Sequence, residues 1–184
     1  LLNTMNKNCK KHPKTLQKIN RQLNNQFNNT QNNNNFIVNN NTINIIPLGQ
    51  EKLTDILSSK EQKMILSKKQ QSLNYLIEYV HFNDKYPQFQ NIIITNLKDN
   101  IAYKYDNKKN KYIATTKDEL INDLVINRMA DIDEFQTEVF DKLNIKEQKI
   151  IKKMLDDFYS DETKYSDTKK DEIKFIIYNN SENN

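Results

Sequence analysis

The spacing of apolar residues changes in the middle of the chain. Apolar residues recur at helical spacing up to Val80, and Pro87 then opposes continuation of the helix. Three stretches rich in β-branched and aromatic residues follow, at 92–95, 101–105 and 111–115. Turn-forming residues separate these stretches. The pattern therefore predicts a helix over 72–82 and then a three-stranded antiparallel β-meander.

Further helices are predicted on both sides of the meander. Upstream, apolar clusters predict short helices at 53–57 and 59–66, the second with Ser59 and Gln62 as its capping box. Downstream, a capping box over residues 116–119 opens an amphipathic helix of about 25 residues. Because a small body cannot bury so long a helix, we expect a break near Ala130-Asp131 or docking against another subunit.

The C-terminal third contains one more clear helical signal. Asn144 and Glu147 repeat the capping pattern in front of another apolar face. The acidic stretch 156–171 has no apolar stripe and predicts a loop. Apolar residues at 173–177 predict a short helix or strand, followed by a frayed tail.

A narrow apolar stripe runs along a predicted N-terminal helix that is otherwise made of Lys, Gln and Asn. The stripe consists of Leu16, Ile19, Leu23 and Phe27. A stripe this narrow suits a partner helix, so these residues are candidates for oligomerisation into a dimer or trimer. An Asn-rich linker follows at 31–35. Short strands at 36–38 and 42–46 are expected to join the meander or to pair between subunits.

The predicted fold class is α+β, with a small antiparallel β-meander packed with several helices and preceded by a coiled-coil-like helix and an Asn-rich linker. We divide the chain into a basic helical arm (1–30), the linker (31–35), a globular α+β body (36–158), and an acidic loop with a C-terminal segment (159–184). The chain has 184 residues and 36% hydrophobic content, which is enough for one modest core.

Composition limits the setting of the protein. A single Cys excludes an internal disulfide and fits a reducing interior, and no apolar run is long enough to span a membrane. We therefore expect a soluble intracellular protein without membrane contact. The 30 Asn residues, and Lys outnumbering Arg by 26 to 2, are typical of an AT-rich genome. The chain begins at Leu1, so we expect an upstream portion to be missing.

Positive charge is concentrated in the arm. Residues 1–30 contain no acidic residue and six cations, namely Lys7, Lys10, Lys11, Lys14, Lys18 and Arg21. The net charge of the whole chain is +4, so the remainder carries −2. A basic arm on a nearly neutral body is the pattern expected for contact with the phosphates of DNA or RNA. The alternative is a solvated Lys-rich helix.

The corner between the predicted helix and the meander carries a resemblance to a known family. The run H-F-N-D-K-Y-P at 81–87, followed by N-I-x-I-T-N-x-K-D-N-x-A-x-x-Y-D at 91–106, resembles an uncharacterised C-terminal domain of giant-virus, mimivirus-like proteins. The similarity covers roughly residues 36–158. In that family the domain follows a zinc finger, a coiled coil and an Asn-rich linker. The resemblance implies no activity. It does imply the infected-cell cytoplasm, a viral factory or the virion as the setting.

The resemblance also bears on the only cysteine. In the related fingers an L-x-x-H-x-x-x-x-C element closes the zinc site, and residues 1–9 match it except that Thr4 stands at the His position. Cys9 is then implied to be the last ligand of an upstream finger. Within this chain Cys9 and His12 supply two ligands where a structural zinc site needs four. We therefore expect no metal site and no cofactor.

Catalytic motifs are lacking. With Gly49 as the only glycine, phosphate-binding loops and dinucleotide-binding turns are excluded, and no hydrolase triad motif is present. Four aspartates fall at turns or caps around the meander, namely Asp84, Asp99, Asp106 and Asp118. They could converge on magnesium as in a nuclease. Turns favour Asp in any case, so we expect no catalytic residue.

Two further features have a structural and a functional interpretation. His81 ends an apolar helix beside Phe82, where we expect a hydrogen-bonded structural histidine that holds the corner. Tyr103, Tyr105 and Tyr112 alternate with lysines and could stack nucleic-acid bases on one face of the sheet. Since Tyr103 and Tyr105 share a face with Ile101, we favour burial against helices.

These patterns favour a non-enzymatic, oligomeric interaction or assembly protein of a giant virus, associated with nucleic acid through its basic arm. Two alternatives remain open. One is a metal-dependent nuclease built on the turn aspartates. The other is a scaffold of the virion or viral factory without nucleic-acid contact. Under the favoured interpretation, the expected partners of the protein are other copies of the chain and DNA or RNA, with no small-molecule substrate.

Overall fold

The structure, a computed structural model, describes residues 15–21, 43–160 and 167–181. Within these ranges the chain is α+β, with seven α-helices and one three-stranded antiparallel sheet, which confirms the predicted fold class. Of the predicted coiled-coil-like helix only residues 15–21 are described, and the Asn-rich linker lies outside the described residues.

The helices are α1 (residues 15–21), α2 (Leu53–Ile56), α3 (Ser59–Leu66), α4 (Ser72–His81), α5 (Lys117–Val139), α6 (Ile145–Ser160) and α7 (Asp167–Ser181). Short 3-10 helices lie at Lys69–Gln71, Pro87–Phe89 and Phe140–Lys142. The strands are β1 (Ile92–Ile93), β2 (Ile101–Asp106) and β3 (Lys111–Thr116).

The sheet is the predicted meander, in the order β1-β2-β3. Its register pairs Ile93 with Tyr103 on one side of β2 and Tyr105 with Tyr112 on the other. Successive side chains of a strand point to opposite faces. Ala102 therefore enters the main core, whereas Tyr103 and Tyr105 lie in a second apolar cluster on the outer face.

Helix α5 is the centre of the main core. It runs unbroken through Ala130 and Asp131, so the predicted break there is wrong. The helix contacts α3, α4, the sheet, α6 and α7 of the same chain, and fully buried residues such as Leu120, Met129 and Phe135 extend along it. The body therefore buries this helix without a second subunit, because several elements surround it.

Side-chain caps fix where three helices begin. Ser58 and Glu61 form the capping box of α3, one residue earlier than the predicted pair Ser59 and Gln62. Thr116 accepts a hydrogen bond from the backbone N–H of Glu119 at the start of α5, as predicted. Asn144 and Glu147 bond reciprocally at the start of α6, at 3.0 and 2.9 Å, and confirm that box.

Two other segments differ from the sequence prediction. Residues 43–46 form no strand, and the Ile46 backbone N–H donates instead to the Gln88 carbonyl at 2.8 Å. The predicted strand at 36–38 lies outside the described residues. Much of the predicted loop at 156–171 is helical, because α6 extends to Ser160 and α7 begins at Asp167. Ile173 and Ile177 of α7 are fully buried, so the core extends beyond residue 158.

Candidate functional site

Helix α1 lies on the outer face of the sheet. Ile19 is buried there with Ile45 and the three sheet tyrosines, and Leu16 packs beside them. Asn20 Oδ1 accepts the backbone N–H of Tyr112 at 3.1 Å, which fastens the helix to the free edge of β3. At the other end of α1, the Tyr103 side chain hydrogen-bonds Thr15. The first half of the predicted oligomerisation stripe thus contacts the chain's own sheet.

The opposite side of α1 is basic and exposed. Lys18 and Arg21, three residues apart and so adjacent on the helix surface, are both exposed. The apolar contacts of Leu16 and Ile19 turn these cations away from the sheet. The other predicted nucleic-acid-binding residues, Lys7, Lys10, Lys11 and Lys14, lie outside the described residues, as do Leu23, Phe27 and Cys9. Their roles, and oligomerisation through the stripe, remain predictions.

The three sheet tyrosines are buried under α1 rather than presented as a stacking platform. Tyr103, Tyr105 and Tyr112 are between 3% and 8% exposed. The Tyr112 hydroxyl donates to the Gln90 carbonyl, and the Tyr105 hydroxyl donates to the Asn110 side chain. Burial raises the pKa of all three phenols above the ordinary value. The structure agrees with the packed interpretation of this face.

Two of the aspartates at turns, Asp99 and Asp106, accept hydrogen bonds within their own turns. Asp99 accepts hydrogen bonds from the Asn96 side chain at 2.8 Å and from the Ile101 backbone N–H at 3.1 Å. Asp106 accepts from the Lys109 backbone N–H at 2.9 Å. Among the described residues no group of three or more His, Cys, Asp or Glu side chains is placed to hold a metal ion. The four aspartates singled out by the sequence are all described, and they do not converge.

His81 holds the corner between α4 and β1, as the sequence predicts. Its ring is fully buried, and Nδ1 lies 2.9 Å from the Phe89 carbonyl. Because a carbonyl oxygen only accepts, Nδ1 must carry the proton and donate. Burial, followed by the nearby charge of Arg128, lowers the pKa of His81 to about 3. The ring is therefore neutral at physiological pH.

A buried ionic cluster links α5 to the segment that precedes α2. Arg128 is 1% exposed, with Nη2 at 3.2 Å from Glu51 Oε2 and Nε at 3.0 Å from Asp131 Oδ2. Glu51 also accepts from the Asn91 side chain at 2.7 Å and from the Gly49 backbone N–H at 2.6 Å. The guanidinium of Arg128 thus forms ion pairs with two carboxylates. Burial raises the pKa of Asp131 to about 7, although Arg128 opposes the shift.

Glu61 is the centre of a second polar cluster, which lies near the surface at the corner between α4 and β1. Its carboxylate accepts from the hydroxyls of Tyr79 and Tyr86, each at 2.7 Å, and from Lys85 Nζ at 2.5 Å. The Ser58 backbone N–H and hydroxyl also donate to it, at 2.9 and 2.7 Å. Burial would raise the pKa of Glu61, but these hydrogen bonds outweigh it and hold the pKa well below the ordinary value.

Sequence reasoning missed both clusters. Arg128 stands among alternating polar and apolar residues of an amphipathic helix, where an arginine is normally exposed. Nothing local marks its partner Glu51, which lies 77 residues away in sequence. For Glu61 a local signal exists, because its position three residues after Ser58 is that of a capping box. Its tyrosine partners come from a different segment.

Two surface clefts flank the body. One of about 340 Å³ lies between the turn at 47–50, the β2–β3 hairpin and α5. In this cleft Lys104 is already paired with Asp123 at 3.1 Å and with Glu119 at 3.4 Å. The other, of about 460 Å³, is lined by Asp84 and aromatic residues of α4. Neither cleft gathers the sequence-predicted site residues.

Comparisons of the chain with protein-family models, curated proteins and solved structures found no match. None of the helices in the described ranges combines the length and the apolar character that crossing a membrane requires.

Proposed function

We propose that this chain is a non-enzymatic interaction and assembly protein that associates with nucleic acid through its basic N-terminal arm. The observation that carries the proposal is the packing of α1 against the sheet. Leu16 and Ile19 anchor the helix to the sheet, while Lys18 and Arg21 are exposed on its other side. A helix anchored in this way presents its cations on an ordered surface, which suits contact with a regular row of phosphates.

The charge distribution supports the same proposal. The arm carries six cations and no acid, whereas the rest of the chain carries −2. Binding to phosphates releases the counterions condensed on the nucleic acid, so the affinity depends steeply on salt and needs no base contacts. The tyrosines on the outer face of the sheet are covered by α1, so the proposed contact is with the backbone of the nucleic acid and not with its bases.

Self-association belongs to the proposal through the sequence stripe that continues to Leu23 and Phe27. The resemblance to giant-virus proteins suggests the virion or the viral factory as the setting. We expect light scattering to give a mass two or three times the 21.9 kDa of one chain. Substituting Leu23→Asp and Phe27→Asp together should lower it to one chain. A monomeric unmodified protein would contradict this part of the proposal.

Fluorescence anisotropy with a labelled 20-base-pair duplex tests the nucleic-acid part. The variant Lys18→Gln/Arg21→Gln removes the two exposed cations of α1 and should weaken binding at 100 mM salt by roughly 5- to 50-fold. The matched control Lys63→Gln/Lys153→Gln removes the same charge from exposed positions on α3 and α6 and should bind within about twofold of the unmodified chain.

Three outcomes separate the candidate functions. Position-dependent weakening supports the proposal. Equal affinity for all variants, no greater than that of a lysine peptide of the same charge, favours the scaffold without nucleic-acid contact. Cleavage of the duplex when magnesium is added would favour the nuclease. That alternative has no structural support at Asp99 and Asp106, whose carboxylates are engaged within their own turns.

A further inference from the structure

The cleft of about 460 Å³ lies where two helices end beside each other. It is lined by one face of α4, by the turn that follows this helix, and by Asn180 in the last turn of α7. In the first half of each helix, the Asn74 side chain donates to Glu172 at 2.9 Å. The two helices therefore run in the same direction, and their C-terminal ends meet at the cleft.

The wall that α4 contributes to the cleft is aromatic. Tyr75, Tyr79 and Phe82 follow one another by four and three residues, so they share one face of the helix and its C-cap. The Tyr75 and Tyr79 rings are stacked with their centroids 5.9 Å apart. The face of an aromatic ring attracts cations, and the Lys68 ammonium lies 4.6 Å from the centre of the Tyr75 ring. A ring of this wall thus already holds an ammonium group.

The carboxylates of the cleft have no counterion within the described part of the chain. Glu78 and Asp84 line the cleft and are exposed, and neither side chain has an ion-pair or hydrogen-bond partner among the described residues. No lysine or arginine is part of the lining. Lys85 follows Asp84 in the chain, but its ammonium is paired with Glu61 at 2.5 Å. The cleft therefore carries two uncompensated negative charges.

The two helix ends make the cleft still more attractive to cations. The C-terminal end of a helix carries a partial negative charge, which a cation stabilises. The last turn of α7 contains no basic residue. The last turn of α4 contains only His81, which is buried and neutral. Both helix dipoles thus add to the field of the carboxylates.

We propose that this cleft binds a lysine side chain of a partner polypeptide. Its ammonium group would lie near the carboxylates of Glu78 and Asp84, and its alkyl stem would lie along the aromatic wall. Lysine fits this combination because its long apolar stem ends in a compact charge. The cleft has the opposite charge to the basic arm, so the inference does not depend on nucleic-acid binding.

The test is fluorescence anisotropy with the full chain and a short labelled peptide in which lysines alternate with glycines. A second peptide with norleucine in place of lysine keeps the stem and removes the charge. The variant Glu78→Gln/Asp84→Asn removes the two carboxylates of the cleft. The matched control Glu134→Gln/Asp156→Asn removes the same charge from exposed positions on α5 and α6.

A third variant, Phe82→Leu, separates the aromatic wall from the charges. It keeps an apolar side chain at the end of α4 and removes a ring without changing the net charge. Circular dichroism and thermal melting confirm that each variant retains the fold.

The lysine peptide should bind the unmodified chain at least about 10-fold more tightly than the norleucine peptide. Glu78→Gln/Asp84→Asn should weaken lysine-peptide binding by roughly 5- to 20-fold and Phe82→Leu by roughly 3- to 10-fold, whereas the control should stay within about twofold. Equal affinity for the two peptides, or no binding of the lysine peptide, overturns the inference. Equal losses in the cleft and control variants also overturn it, because net charge alone would then explain the binding. A folded Phe82→Leu variant with unchanged affinity overturns the assignment to this cleft.

Discussion

Replacing Arg128 with methionine should destabilise the protein far more than a typical substitution. Methionine keeps most of the volume of the arginine stem but removes the guanidinium that lies 3.2 Å from Glu51 and 3.0 Å from Asp131. The Glu51 side chain is completely buried and that of Asp131 is 12% exposed. The substitution therefore leaves carboxylates in the interior without their counterion.

Breaking a buried ion pair by removing one partner costs about 3–5 kcal/mol. For a chain of this size each kcal/mol lowers the melting temperature by roughly 2–4 °C, so the expected loss is about 6–20 °C. Urea unfolding at pH 8, followed by circular dichroism, measures the free energy directly. Arg21→Met is the control, because Arg21 is exposed and its replacement should change stability by less than about 0.5 kcal/mol.

A background without the two carboxylates separates the effect of charge from that of packing. In a Glu51→Gln/Asp131→Asn background no carboxylate is left unpaired, so Arg128→Met should cost less than about 2 kcal/mol there. A cost below about 1 kcal/mol in the unmodified chain would refute the reasoning. An equal cost in the two backgrounds would also refute it, because the loss would then come from packing rather than from the buried charges.

Three further predictions concern single positions. Burial raises the folded-state pKa of Asp131 to about 7, so this carboxyl makes stability fall as pH rises from about 4 to 7. Asp131→Asn should remove this part of the pH dependence in urea unfolding, and an unchanged pH dependence would contradict it. Glu61→Gln should cost about 2–3 kcal/mol at pH 7, because Tyr79 and its other donors lose a charged acceptor. Since the pKa of Glu61 is lowered, that difference should shrink as pH falls below about 4, and a pH-independent cost would contradict it. Gly49→Ala should cost about 1–2 kcal/mol by thermal melting, because φ is +82° and the new Cβ would lie 3.1 Å from Asn127 Oδ1, whereas Gln50→Ala should cost almost nothing.

Elements with local signals could be predicted from the sequence. The meander, with its β-branched stretches and turn residues, appears in the predicted order, because strand pairing across short turns is a local matter. The capping residues Thr116 and Asn144 mark the starts of α5 and α6, since a cap acts within one turn of its own helix. The position of His81 at the corner is predictable from the sequence, because Pro87 and the apolar run before it define the corner.

Features that depend on distant segments could not be predicted. The length of α5 predicted a break or a second subunit, but elements from both sides of the sequence surround the helix and bury it. The stretch at 43–46 has strand-like residues, yet Ile46 bonds to Gln88 in a loop instead of joining the sheet. In both cases tertiary contacts outweigh local preference, and a single sequence does not show which segments meet.

In the candidate site, too, the local features could be predicted from the sequence and the tertiary contacts could not. Charge counting identified Lys18 and Arg21 as candidates, but it could not show that Asn20 fastens their helix to the edge of β3. This contact joins residues that lie about 90 positions apart in the chain, and nothing local in the sequence indicates it.

The most direct test of the account is the salt dependence of duplex binding by the unmodified chain. If the six arm cations contact phosphates, the slope of log K against log salt should be about −5 over 50–200 mM. A slope shallower than about −2, or no binding at 50 mM, would contradict the claim that this protein presents its basic surface to nucleic acid.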